Sequence, residues 1–132
     1  MLVPGNTLEE YNKEVGKIME SELLGLGLIS RDEVEKQDQN KPVYKKFFMH
    51  GTSHHLGLDV HDLCLRYEPF RAGMVFTCEP GIYIPGEGLG IRLENDILIT
   101  DEGPVDLFAG IPIEAEEIEE LMHAGQVAGL VN

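Results

Sequence analysis

Two runs in the second half of the chain, GMVFTCEPGIYI and LGIRLENDILIT, are rich in β-branched and aromatic residues and are separated only by PGEG. Residues of that kind favour a pleated, half-buried surface, and a short Gly/Pro loop between two such runs joins them as a hairpin. The pairing is therefore antiparallel, because a parallel pair needs a crossover of a dozen or more residues. Strand alternation then sorts the side chains by face. Arg92 and Glu94 project together, while Ile91 and Leu93 face the opposite way as expected core. Val75, Thr77 and Glu79 share a face, which leaves Glu79 at the end of an otherwise apolar strand, just before Pro80 and Gly81. A partly buried ionised carboxylate without a partner is costly. Glu79 and Glu94, on neighbouring strands, must therefore be matched by a cation, either Arg92 or a metal ion.

Helical signals flank this hairpin. Thr7 with Glu10 three residues later is a capping-box pattern, and Leu8, Tyr11, Val15, Ile18, Met19 and Leu26 recur at helical spacing, which predicts a helix from about Leu8 to Leu24. The glycines of LLGLGLIS end it. Ser30 with Glu33 repeats the pattern ahead of a short helix near Asp32 to Gln37, and KPVYKKFF begins a third helical piece that stops before Gly51. After Pro112, IEAEEIEELMHAGQ carries Ile118, Leu121 and Met122 on one stripe and predicts a closing helix. The order of helices, strands and helix reads as α+β with an antiparallel sheet, in one domain over residues 1–132.

Charge narrows the partners. Ten basic against 24 acidic side chains give a formal net charge of −14, which argues against nucleic acid and against an anionic membrane face. The acidic residues from Glu9 to Glu22 and from Glu114 to Glu120 read as solvated helix faces. Cys64 and Cys78 lack a CxxC spacing and form no disulfide framework, no cationic leader with an apolar run precedes them, and the expected location is the cytoplasm. No apolar run approaches the roughly 20 residues that span a bilayer.

Four of the five histidines fall between His50 and His61, in HGTSHHLGLDVH, where the third helical piece gives way to extended chain. His54 and His61 are seven apart, an odd interval, so one straight strand cannot present both on one face and a turn or bulge must lie between them. The spacing does not match HExxH, and no cysteine ligands accompany it, which argues against a structural zinc site. One imidazole with several carboxylates suits a harder ion such as manganese. His55 and His123 read as structural or surface residues.

Taken together, HGTSHHLGLDVHD, GMVFTCEPGIYI and GLGIRLENDILIT, in that order, resemble the Xaa-Pro aminopeptidases (aminopeptidase P) and the related proline dipeptidases, the pita-bread metallopeptidases. The wording is closer to this proline-specific branch than to the methionine aminopeptidases or creatinase-like enzymes of the same fold. The resemblance implies two divalent metal ions, commonly manganese, held by two aspartates, one histidine and two glutamates. Motif for motif, it puts the histidine ligand on His54 and the glutamate ligands on Glu79 and Glu94. It also implies that Glu79 assists proton transfer, that His50 and His61 contact the substrate, and that Arg92 orients neighbouring acidic groups. The implied reaction is hydrolysis of the N-terminal Xaa-Pro bond of a peptide whose second residue is proline.

One part of the family pattern is missing. The two aspartate ligands belong to a segment resembling DxG followed by DxTRT, and nothing like it precedes His50. The expectation is the C-terminal half of a pita-bread catalytic domain, a curved antiparallel sheet covered by helices, inactive in isolation and holding metal weakly or not at all. An exposed apolar face and unpaired strand edges would make such a chain self-associate. The alternative is a stand-alone, non-catalytic module of the same fold that binds a protein or peptide partner.

Overall fold

The computed structural model describes residues 1–63 and 67–129; Cys64 lies outside them. The first helix, α1, spans Leu8–Gly25. Thr7 is extended, and its hydroxyl accepts the Glu10 amide at 3.2 Å. Only half of the expected capping box forms, because the Thr7 amide bonds to Asn6 Oδ1 at 2.9 Å instead of to Glu10. At the other end Gly27 adopts φ +71°, with Gly27 N–H on Leu24 O (3.1 Å) and Leu28 N–H on Leu23 O (3.0 Å), a Schellman closure. The buried stripe is Tyr11, Val15, Gly16, Met19 and Leu23. Gly16, which costs helix stability relative to alanine, is explained by its neighbour: a Cβ there would lie 2.7 Å from the Tyr44 hydroxyl. Tyr44 belongs to a 3₁₀ turn, Val43–Lys46, in the third helical piece.

The second helix, α2, is a single turn, Arg31–Glu35, and carries the complete capping box: Ser30 Oγ accepts from Glu33 N (3.3 Å) and Ser30 N donates to Glu33 Oε2 (2.9 Å). It stops short of the Gln37 expected from sequence, and α3, the closing helix, spans Ala115–Gly129. Its apolar stripe of Ile118, Leu121 and Met122 is exposed.

Each of the two expected strands is broken in two. The first gives β1 (Val75–Cys78) and β2 (Gly81–Ile84), the second β3 (Leu89–Arg92) and β4 (Asn95–Thr100). β2 pairs with β3, and β1 pairs with β4, both antiparallel. Pro80 has no N–H to give to a ladder, and the strand ends just before it. The register nevertheless continues through the break: Cys78 pairs with Asn95 and Gly81 with Arg92, so Glu79 stands opposite Glu94 and Pro80 opposite Leu93. A bond from Leu93 N–H to Pro80 O (3.3 Å) crosses the gap.

A strand unforeseen in the sequence, β5 (Gly103–Asp106), extends the sheet in the order β1-β4-β5. It is an edge strand, where Pro104 is tolerated, and it is reached by a tight turn in which Gly103 takes φ +128°. On the opposite side of β1 the segment 52–56 runs antiparallel to it, with Glu79 N–H on Thr52 O (2.8 Å), Thr77 N–H on His54 O (3.0 Å) and a bridge between His55 and Phe76.

The core joins α1 to this sheet through Tyr11, Val15 and Met19 against Leu2, Phe48, Phe70, Phe76 and Ile99. Ile91 and Leu93, expected in the core, are instead 62% and 50% exposed. They line an apolar groove of about 610 Å³ together with Leu26, Leu28, Ile82 and Leu89. Alternation correctly separates their face from that of Arg92, but no element among the described residues covers it.

Candidate metal centre

The break in the hairpin frees Glu79 and Glu94 from the ladder while leaving them opposite one another. Glu79 is held by its amide on Thr52 O, and its side chain is only 13% exposed. One carboxylate oxygen, Oε2, lies 3.6 Å from the Arg92 guanidinium. The other, Oε1, accepts from the Thr77 hydroxyl (3.3 Å) and lies 3.5 Å from His54 Nε2. Arg92 thus offsets one oxygen of Glu79, and the other points at the imidazole.

His54 is oriented by its neighbours. Its amide donates to Thr77 Oγ1 at 3.0 Å, and its ring Nδ1 lies 3.2 Å from the carbonyl of His55. A carbonyl can only accept, so in the neutral ring Nδ1 carries the proton and Nε2 presents its lone pair toward Glu79. This is the arrangement in which histidine ligates metals, with the non-ligating nitrogen tied to a backbone oxygen. His54, Glu79 and the exposed Glu94 bring one ligand atom each within 4.8 Å of one another. One imidazole nitrogen and two carboxylate oxygens, otherwise a repelling pair, form a donor set that a divalent cation fits.

The remaining expected site residues fall in two places. His61 packs edge-on to His54, with ring centroids 4.3 Å apart, and the reversal that brings it back is built on Asp62. The Asp62 carboxylate accepts the amides of Leu58 and Leu63, each at 2.7 Å, and its own amide bonds to His55 O (3.2 Å). Those backbone bonds, the Leu63 amide foremost, hold its carboxyl below the usual range. A side chain at Gly57 would overlap the Asp62 carboxylate, so glycine leaves room for that carboxylate to make its bonds. His50 stands elsewhere, with Nδ1 donating to Gly51 O (2.6 Å) and Nε2 facing the Tyr83 hydroxyl at 3.1 Å, its ring edge-on to Phe48 and Tyr83. His55 packs against Phe76.

Two residues at the site were not singled out from sequence, Thr77 and Tyr83. The signal was present in both cases, because each lies an even number of residues from Glu79 and so shares its face. Tyr11 reaches the same region from α1, its hydroxyl 3.7 Å from Cys78 Sγ, and burial, reinforced by Cys78 and Glu79, raises its phenol above the ordinary tyrosine range.

Residues 1–101 match the model of metallopeptidase family M24. The chain is 43% identical over 135 residues to the Xaa-Pro aminopeptidase of Escherichia coli, covering 93% of this chain and 30% of that protein. It is 38% identical over 135 residues to the Xaa-Pro aminopeptidase of Haemophilus influenzae (93% and 31%), and 34% identical over 129 residues to human Xaa-Pro aminopeptidase 3 (89% and 25%). Among solved structures, aminopeptidase P from E. coli with the inhibitor Pro-Leu aligns with a TM-score of 0.76 at 43% identity, over 93% of this chain and 30% of that one. The zinc-substituted E. coli enzyme in complex with product aligns with a TM-score of 0.75 at 44% identity, over 92% and 30%. The chain therefore spans about a third or less of the relatives it matches, and its α+β architecture is part of their pita-bread fold.

Proposed function

The chain belongs to metallopeptidase family M24, and from that premise we propose that it supplies one wall of the metal centre of a proline-specific exopeptidase, which hydrolyses the N-terminal Xaa-Pro bond of a peptide. The observation that carries this reading is the convergence of one ligand atom each from His54, Glu79 and Glu94 within 4.8 Å. These three side chains would hold divalent metal, two manganese ions in a complete site, with two aspartates from outside this chain. When bound, the metal would supply Lewis acidity toward the scissile carbonyl and lower the pKa of a water.

The chain's own residues do the rest. Glu79 Oε1, beside the His54 ring, is placed to take and return a proton at the attacking water. Arg92 fixes the other oxygen of Glu79, so the carboxylate keeps one face for that task. His61 and His50 contact the substrate, His61 from its stack on His54 and His50 from its bond to Tyr83. The isolated chain is inactive, because two carboxylates cannot offset the charge of two divalent ions. It acts in a reducing compartment, the cytoplasm, where the free Cys78 thiol beside Tyr11 persists.

Calorimetric titration of Mn²⁺ tests the ligand set. The expected result is binding by the unsubstituted chain and by His61→Ala, and loss in His54→Ala and Glu94→Ala. Equal binding by all four would sink the assignment.

A further inference from the structure

Thr77 is 1% exposed, and its hydroxyl stands between two of the three proposed ligands. It accepts the His54 amide at 3.0 Å and lies 3.3 Å from Glu79 Oε1. A carboxylate has no proton to give, so the one hydroxyl hydrogen points to Glu79 and the bond directions are settled. The backbone makes the arrangement more telling. Thr77 N–H bonds to His54 O (3.0 Å), as in an antiparallel pair. In a regular pair the return bond would run from His54 N–H to Thr77 O; here the side-chain oxygen takes that amide instead. One buried atom therefore sets both the backbone from which the His54 ring projects and the rotation of the Glu79 carboxylate.

We infer that the Thr77 hydroxyl is a positioning residue for the metal centre, locking His54 and Glu79 into one ligand geometry before any ion arrives. The inference rests on the metal reading above and assigns no contact between Thr77 and the ion. Valine has nearly the same shape but neither bond, and it would leave the partly buried His54 amide without its acceptor. Serine keeps both bonds and loses only a methyl group.

Mn²⁺ alone, titrated calorimetrically into the full 132-residue chain, separates these cases. Thr77→Val is expected to weaken binding by about tenfold or more, the range seen when outer-shell partners are removed, and Thr77→Ser to stay within about threefold of the unsubstituted chain. Amide hydrogen exchange at His54 in the metal-free chain should quicken in the valine variant and recover in the serine one. If the valine variant does not fold, Thr77→Ala takes its place, with the same ranking below serine expected. Binding by Thr77→Val as tight as that of the unsubstituted chain, with His54→Ala binding lost, overturns the inference and leaves the metal reading intact. So does serine binding as weakly as valine. Binding untouched by His54→Ala overturns both, and where the unsubstituted chain takes up no Mn²⁺ the His54 amide decides: exchange no faster in Thr77→Val than in the unsubstituted chain overturns the inference.

Discussion

Glu79 and Glu94 face each other across the hairpin at the two-residue gap where neither belongs to a strand, with the register on either side unbroken. Like charges directly opposite each other destabilise a sheet. The fold nevertheless puts one carboxylate against the other, with Arg92 near one oxygen of Glu79 and His54 Nε2 near the other. The gap costs ladder bonds as well as repulsion. Both costs make sense if the pair exists to hold a cation.

That reading predicts opposite signs for one substitution. In the metal-free chain Glu94→Gln relieves the repulsion and should stabilise by a few tenths of a kcal/mol, the low end of the cross-strand range of about 0.2–1 kcal/mol, because Glu94 is exposed. With Mn²⁺ at about 100 times its dissociation constant the unsubstituted chain gains about 2.7 kcal/mol, and the variant should forfeit that gain. Thermal melts with and without Mn²⁺ read both effects. A variant less stable than the parent in the absence of metal would mean that the facing carboxylates do not strain the fold.

The elements legible in the sequence are those set by local chemistry. The Ser30–Glu33 box, the glycine stop of α1 and the odd His54–His61 interval all have local causes, and the turn built on Asp62 is the reversal that the interval demands. What was not legible depends on distant neighbours. Alternation separated Ile91 and Leu93 from Arg92 and Glu94, but a face is core only if something lies over it, and both residues are exposed. The hairpin break was hidden because Glu79-Pro80 reads as a turn after one strand. That it divides both strands follows from the pairing partner. β5 was missed because proline and acidic residues disfavour strands, a rule that an edge position relaxes. At the site, the face of Thr77 was readable, but its bond to the His54 amide was not, since that joins segments far apart in sequence.

The uncovered groove predicts self-association. Ile91, Leu93, Leu89 and Leu26 are each about half exposed or more, and in a purified sample the only other apolar surface available is a second copy's. A net charge of −14 opposes the encounter, and salt screens that repulsion without weakening apolar contact. Light scattering across a dilution series should therefore show an average mass that rises with concentration and rises further with salt. Ile91→Glu with Leu93→Glu should abolish it. A chain that stays monomeric at every concentration and salt level would refute the prediction.

Glu33 predicts a pH dependence at α2. Its bond to Lys46 Nζ (2.8 Å), followed by the Ser30 amide and hydroxyl, lowers its carboxyl to about 2. A folded-state pKa below the unfolded value of about 4.3 means that the contribution is fully present above that unfolded value and is lost as pH falls toward 2. The side chain lies at the surface, so the effect is local: the capping bonds of α2 should open in acid before the core does. Carbon-detected NMR titration of the Glu33 carboxyl should give the low value, and Lys46→Met and Ser30→Ala should each move it upward. An ordinary glutamate titration in the unsubstituted chain would refute the box as drawn.

Tyr83 lies directly opposite Gly90 in the β2–β3 ladder, and its ring occupies the space that a side chain there would need. A Cβ at Gly90 would lie 2.7 Å from Tyr83 Cδ1, and one at Gly81 would lie 2.9 Å from the Tyr83 hydroxyl. Two glycines thus let the ring lie flat across the strands, which carries its hydroxyl to His50 Nε2 at 3.1 Å. Because His50 Nδ1 already donates to Gly51 O, in the neutral ring Nε2 accepts from Tyr83, and the two bonds together fix the His50 tautomer. Gly90→Ala should tilt the ring, cost about 1–3 kcal/mol as overpacking does, and break the contact with His50. Nitrogen chemical shifts of the His50 ring report the change: Nε2 loses the signature of a hydrogen-bonded acceptor in Gly90→Ala and in Tyr83→Phe alike. Tyr83→Phe removes the same hydroxyl without moving the ring, so equal His50 shifts in the two variants, with the stability loss confined to Gly90→Ala, would separate the hydrogen bond from the packing that places it. An unchanged His50 spectrum in Tyr83→Phe would refute the tautomer assignment.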